Sequence, residues 1–146
     1  MNRIAPVWSE HAVKRSELEF EKPWAWPGQC LKAARQCRRA SVPELADLMS
    51  LSDACKMRWW TESDVRLALD DRADGSAMTL TESASAVNEL VLAVGPEGGW
   101  SDTERKILSK SGASMVTLGG RILRAETAVW AGLTAVQARW GDLQLR

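Results

Sequence analysis

The residues of this chain best placed to do chemistry are Gly95-Pro96-Glu97-Gly98-Gly99 and, further on, Leu118-Gly119-Gly120-Arg121-Ile122-Leu123-Arg124-Ala125-Glu126. Each stretch follows an apolar run and precedes a helical pattern, so each reads as a strand that breaks into a glycine turn and starts a helix. Gly98-Gly99 permits backbone angles closed to other residues and lets a ligand approach the main chain, so a side chain at Gly98 is expected to fill that approach. Pro96 stiffens the loop ahead of it. Taken singly, either stretch is also what an ordinary strand-to-helix turn looks like. Two of them close together gather free N–H and C=O groups, which is the chemistry of a small-molecule site built from main chain.

Several other chemistries are excluded. A dinucleotide fold needs G-x-G-x-x-G after its first strand and a P-loop needs Gly-Lys-Ser/Thr, and the sequence holds neither. It holds no G-x-S-x-G elbow, and no histidine lies in its C-terminal half to activate a serine. With one histidine, His11, a His-rich metal centre cannot be built, and no metal is expected. Cys30, Cys37 and Cys55 are odd in number and form no C-x-x-C pair, which argues against structural disulfides or zinc and fits a reducing cytosol.

The elements that must position the two turns follow from periodicity. Leu90–Val94 is a continuous apolar run, as in a parallel strand buried on both faces. Ser101-Asp102-Thr103-Glu104 is a capping box, and the helix it opens should stop at Gly112. Residues 115–118 form the next strand, and a last helix over 126–140 places Val129, Leu133, Val136 and Trp140 on one face. Upstream, a short strand over 4–8 leads to a charged loop over 14–22. A helix over 29–39 follows, with Leu31, Ala34 and also Cys30 and Cys37 toward the core. Residues 42–45 are extended, Ser50 or Ser52 caps a short helix reaching Trp59, and Val65–Leu69 is a strand. Strand and helix alternate, so the class is α/β with a mainly parallel sheet.

A chain of 146 residues is most simply one domain, and nineteen basic residues balance nineteen acidic ones, so any nucleic-acid surface must be a local patch. No apolar stretch approaches the roughly 18 residues of a membrane span, and the first residues do not open a signal peptide. Eight tryptophans read chiefly as core filler, with base stacking as the alternative for a few. Lys32, Arg35 and Arg39 share one helix face joined by Arg38, either as a solvated face or as phosphate contacts.

These motifs resemble those of the ribosomal RNA small subunit methyltransferase E family, uridine-N3 methyltransferases of the SPOUT superfamily. The family pattern Gly-Pro-Glu-Gly-Gly-aromatic-Ser/Thr-x-x-Glu matches residues 95–104, and Leu-Gly-x-Arg-Ile-Leu-Arg-x-Glu-Thr-Ala matches 118–128. Weaker similarity covers Pro6-Val7-Trp8-Ser9-Glu10, the segment 33–39 with Val42-Pro43, and Trp140-Gly141-Asp142. His11 stands where the family has Arg, and Lys32 where it has Glu.

The resemblance implies a SPOUT methyltransferase fold with a C-terminal trefoil knot, acting as a cytoplasmic homodimer. It implies S-adenosylmethionine as cofactor, held by Gly95, Pro96, Glu97 and Gly98 on one wall and Leu118, Gly119, Ile122 and Leu123 on the other. The implied reaction moves a methyl group to N3 of a uridine in 16S rRNA, presented as rRNA or as the assembled small ribosomal subunit. Arg124 and Glu126 are the candidate catalytic residues, or else a pair that holds the knot turn. Arg35, Gln36, Arg39 and Arg121 are the candidate RNA contacts. Residues 1–146 correspond to the methyltransferase domain without the family's N-terminal PUA-like RNA-binding domain and first strand-helix unit. The alternatives are a non-catalytic remnant that dimerises and holds cofactor or RNA, or a SPOUT enzyme for another RNA position.

Overall fold

The computed structural model describes residues 1–12, 17, 22–73 and 87–143. In chain order its elements are β1 (Arg3–Ile4), β2 (Val7–Trp8), α1 (Trp26–Gln36), β3 (Glu44–Leu45) and β4 (Met49–Ser50). There follow α2 (Leu51–Ala54), α3 (Arg58–Thr61), β5 (Val65–Leu69), β6 (Leu90–Val94), α4 (Asp102–Lys110), β7 (Ser114–Val116) and α5 (Ala125–Trp140). Strands β6, β5 and β7 form a parallel sheet with β5 in the middle, Leu69 standing opposite Val94 on one side and Val116 on the other. Two smaller parallel pairs, β1 with β3 and β2 with β4, lie in the N-terminal part. The α/β class and the parallel pairing agree with the sequence.

Both faces of the sheet are covered, which is why its strands carry continuous apolar runs. Ala68 faces a cluster of Trp100, Leu108, Trp60 and Leu51 supplied by α2, α3 and the α4 region. Its neighbours Leu67 and Leu69 point the other way, into a cluster with Val116, Ala128, Val136 and Trp140 on the α5 side. Ala68 and Leu108 are fully buried, and burying one leucine contributes about 1.5–3 kcal/mol.

Helix α4 starts and stops as its residues dictate. The Ser101 hydroxyl accepts from the Glu104 amide while the Glu104 carboxylate accepts from the Ser101 amide. At the other end Gly112 takes φ +84, and the amides of Gly112 and Ala113 bond back to Ser109 and Leu108.

Four expectations are corrected. The strand over 4–8 is broken at Ala5-Pro6 into β1 and β2, and the short helix before Trp59 is two helices, α2, capped by Ser50, and α3. Helix α1 begins at Trp26 because Pro27 suits a first turn, and it ends before Arg38, which takes φ +57. Leu31 and Cys37 are therefore exposed, and of the expected inward residues only Ala34 is buried. On α5, Val129 is exposed, and the buried face is lined instead by Ala128 and Gly132 beside Val136 and Trp140. The small residues let the helix lie close: a Cβ on Gly132 would stand 2.9 Å from Leu69 Cδ1. The charged loop over 14–22 lies almost wholly outside the described residues. No helix among the described residues is long and apolar enough to cross a membrane.

Candidate functional site

The two glycine turns meet. A cavity of about 200 Å³ has Gly95, Pro96, Glu97 and Gly98 on one wall and Leu118, Ile122 and Leu123 on the other, with Leu69 and Asp70 between. It therefore lies at the carboxyl ends of β5, β6 and β7, the end of a parallel sheet at which ligands bind. Gly119 does not line it. That residue makes the turn instead, with φ +104 and its carbonyl accepting from the Thr117 hydroxyl at 2.9 Å.

The first loop is held by contacts that explain its glycines. A Cβ on Gly95 would press on the indole of Trp100 at 3.1 Å, and that buried indole donates to the Leu69 carbonyl at 2.9 Å. Gly99 takes φ +68, a conformation that favours glycine, and its amide closes the turn on Pro96. A Cβ on Gly98 would meet His11 Cβ at 2.8 Å, so a neighbouring side chain, which the sequence did not indicate, also requires glycine there.

His11 clasps this loop from outside. Its Nδ1 lies 3.1 Å from the Gly98 carbonyl oxygen and 3.0 Å from that of Gly99. Carbonyls only accept, so Nδ1 carries the proton. Next to it, the Glu10 amide donates to Glu104 Oε1 at 2.8 Å, which joins the exit of β2 to the N-terminus of α4 through one buried carboxylate. Burial pushes the Glu104 carboxyl up, but the hydrogen bonds it receives from the Ser101 and Glu10 amides outweigh that and hold it below the usual carboxylate range. The end of β5 is braced similarly. The buried Asp70 carboxylate pairs with Arg105, and Arg72 donates to the Trp100 carbonyl and pairs with Asp102.

Of the cation and carboxylate candidates, Arg121 lines the cavity, whereas Arg124 and Glu126 stand outside its wall and are exposed. Arg124 is the N-cap of α5, its carbonyl accepting from Ala128, and Glu126 sits in the first turn, where its charge suits the helix dipole. Among the described residues no ion pair joins Arg124 to Glu126. Arg35 and Gln36 close α1 and are exposed; Arg39 lies past its end, so the helical stripe with Lys32 is interrupted. None of the three lines the cavity.

Sequence reasoning missed His11, which holds the first loop, and Asp70 and Asp71, which both line the cavity. The Asp pair had a signal, since it directly follows a strand parallel to the two that carry the glycine turns. His11 had only its position just after β2.

A model of the RNA methyltransferase domain family matches residues 1–137. Ribosomal RNA small subunit methyltransferase E of Buchnera aphidicola subsp. Schizaphis graminum is 31% identical over 145 residues, covering 98% of this chain and 57% of that protein. The protein of the same name from Aquifex aeolicus is 32% identical over 126 residues, covering 86% and 52%. Among solved structures, ribosomal RNA small subunit methyltransferase E of Neisseria gonorrhoeae bound to S-adenosylmethionine superposes with a TM-score of 0.79 at 29% identity, covering 98% of this chain and 57% of that one. The chain thus spans little more than half the length of these relatives.

Proposed function

Because this chain belongs to the RNA methyltransferase domain family, we propose that it binds S-adenosylmethionine between its two glycine loops and methylates N3 of a uridine in small-subunit rRNA. The observation that carries this reading is the meeting of the Gly95–Gly98 wall with Leu118, Ile122 and Leu123 at the carboxyl ends of three parallel strands. The residues suit the cofactor. Adenine is flat and apolar with polar edges, and the cavity offers Leu118, Ile122 and Leu123 beside main-chain groups of a glycine loop. At about 200 Å³ it falls below the roughly 300–1,000 Å³ of pockets that enclose a whole ligand. Ile122, 81% exposed at its rim, is the side chain that closes on the bound molecule.

Bound there, the cofactor supplies an electrophilic methyl group. The chain's part is to hold the uracil in line and stabilise the negative charge that N3 acquires on losing its proton. Arg121, already at the cavity, and Arg124 at the head of α5 are the cations we assign to that charge. Glu126, in the first turn of the same helix, is the proton acceptor or orienting group. Arg35, Gln36 and Arg39 make the outer RNA contacts, all being exposed. We assign the fold to the SPOUT class, with α5 passing through a trefoil knot. In support, the second glycine loop runs straight into α5, and α5 packs on β6, which carries the first. Val129 and Trp130, exposed on α5, are the surface we assign to a homodimer.

Incubation with small ribosomal subunits from a strain lacking this methylation, with radiolabelled cofactor, tests the reading. Label at N3 of a uridine in 16S rRNA is expected. Cofactor binding without label transfer would favour the non-catalytic module.

A further inference from the structure

The central strand β5 runs out at Leu69 into Asp70-Asp71-Arg72, beside the glycine-loop cavity. The two outer residues of this triplet are tied down. The Asp70 amide continues the sheet by donating to the Val116 carbonyl at 2.9 Å, and its buried carboxylate pairs with Arg105 of α4. The same carboxylate accepts the Arg72 amide at 3.1 Å, which closes a tight turn over Asp71. Arg72 in turn pairs with Asp102 at 3.3 Å and donates to the Trp100 carbonyl. Asp71 is therefore fixed on both sides. Its own carboxylate is exposed and forms no ion pair or hydrogen bond among the described residues. Asp71 lines the cavity on the side of the first glycine loop, its Oδ1 3.8 Å from where a Cβ on Gly99 would stand.

Few groups in the cavity can accept hydrogen bonds from a ligand through a charged side chain. Asp70 is occupied by Arg105, and Arg121 only donates. Glu97 sits inside the turn that the Gly99 amide closes on Pro96, on a longer side chain with more freedom to lose on binding. Asp71 is short and already placed, which lowers the cost of using it. An ionised carboxylate has two acceptor oxygens and no donor, so it suits a pair of neighbouring hydroxyls, and bonds to it are about twice as strong as neutral ones. Connectivity says which part of the cofactor offers such a pair. Adenine set against Leu118, Ile122 and Leu123 carries its ribose directly, whereas the amino-acid tail lies beyond both ribose and sulfur. A cavity of about 200 Å³ encloses only part of the molecule, and the part joined to adenine enters with it.

We infer that Asp71 accepts hydrogen bonds from the 2′- and 3′-hydroxyls of the cofactor ribose, an assignment that rests on the S-adenosylmethionine reading above. The carboxylate makes the site selective for a ribonucleoside over a deoxy form. Holding the sugar at two points also limits its rotation against the adenine, which narrows the positions open to the methyl group.

The test is calorimetric titration of the full chain and of Asp71→Ala with S-adenosylmethionine and with its 2′,3′-dideoxy analogue. Loss of hydrogen bonds to a charged group should weaken S-adenosylmethionine binding by Asp71→Ala about 10- to 100-fold. Removing the hydroxyls should cost the wild-type chain a similar factor, and should cost Asp71→Ala at least about tenfold less than that. Thermal unfolding without ligand should place Asp71→Ala within about 2 °C of the wild type, as for an exposed side chain without partners. Equal weakening of both ligands by Asp71→Ala would overturn the inference, because the carboxylate would then hold the cofactor's ammonium group. Unchanged affinity, or a larger fall in Tm, would overturn it as well. If the wild-type chain itself binds no S-adenosylmethionine at millimolar concentration, the cofactor reading falls and takes this inference with it. If the wild-type chain binds and Asp71→Ala binds as tightly, this inference alone falls.

Discussion

Replacing Gly98 by alanine probes how the first glycine loop is held. The new Cβ would stand 2.8 Å from His11 Cβ and 3.3 Å from His11 Cγ. Non-bonded carbons prefer about 3.5–4.0 Å, so one side must give by roughly 1 Å. His11 cannot retreat freely, because its Nδ1–H donates to the carbonyls of Gly98 and Gly99 at 3.1 and 3.0 Å. Either those bonds stretch or the cavity wall moves. Overpacking of this kind costs about 1–3 kcal/mol. Carried by the wall, that weakens S-adenosylmethionine binding about 5- to 150-fold. Calorimetry reads the affinity and thermal unfolding reads the stability. At about 2–4 °C per kcal/mol for a chain near this length, any part carried by the fold itself is visible as a lower Tm. His11→Gly removes the colliding Cβ, so in that background Gly98→Ala should cost no more than about 0.5 kcal/mol, the usual limit for uncoupled sites. Equal costs in both backgrounds would refute the steric argument, as would unchanged affinity and stability in Gly98→Ala alone.

Other outcomes follow from the same contacts. Glu104→Gln should lose about 1–3 kcal/mol at pH 7, because two amides now donate to its carboxylate. Its folded pKa is depressed, so that stabilisation is complete above the ordinary carboxylate value, about 4.3, and disappears as pH falls through the lower folded value. Urea titrations should therefore show a flatter acid limb in the variant, and identical profiles would contradict the assignment. Ile122→Ala should weaken cofactor binding roughly 5- to 30-fold, since about 1–2 kcal/mol of apolar burial is lost on closure; an unaltered Kd would mean that Ile122 stays in solvent. Cys37 should react with a thiol reagent at once, while Cys55, buried and with its thiol pushed up by burial, should react only as the protein unfolds. Fast labelling of Cys55 in the folded protein would contradict the packing.

How legible each element was depends on how local its causes are. β5, β6 and α4 could be read directly, because an apolar run or a capping box is written in adjacent residues. Leu31 on α1 and Val129 on α5 misled because periodicity shows a stripe without saying what covers it. On α5 the deciding feature is Gly132, whose missing side chain lets Leu69 approach, and that pairing belongs to the folded state alone. The site behaved likewise. The glycine loops announced themselves, and the structure brings them together at one cavity. His11 did not, because its partners Gly98 and Gly99 are far along the chain and offer it only backbone oxygens. Arg38 at φ +57 ended α1 early and carried Arg39 off the expected basic stripe, a backbone event that no side-chain pattern marks.

Calorimetric titration of S-adenosylmethionine into the full chain tests the central claim most directly. The two loops that meet beyond β5, β6 and β7 predict saturable binding at one site per chain, weakened by Gly98→Ala and by Ile122→Ala. Absence of heat at millimolar cofactor, or binding that ignores both substitutions, would contradict it.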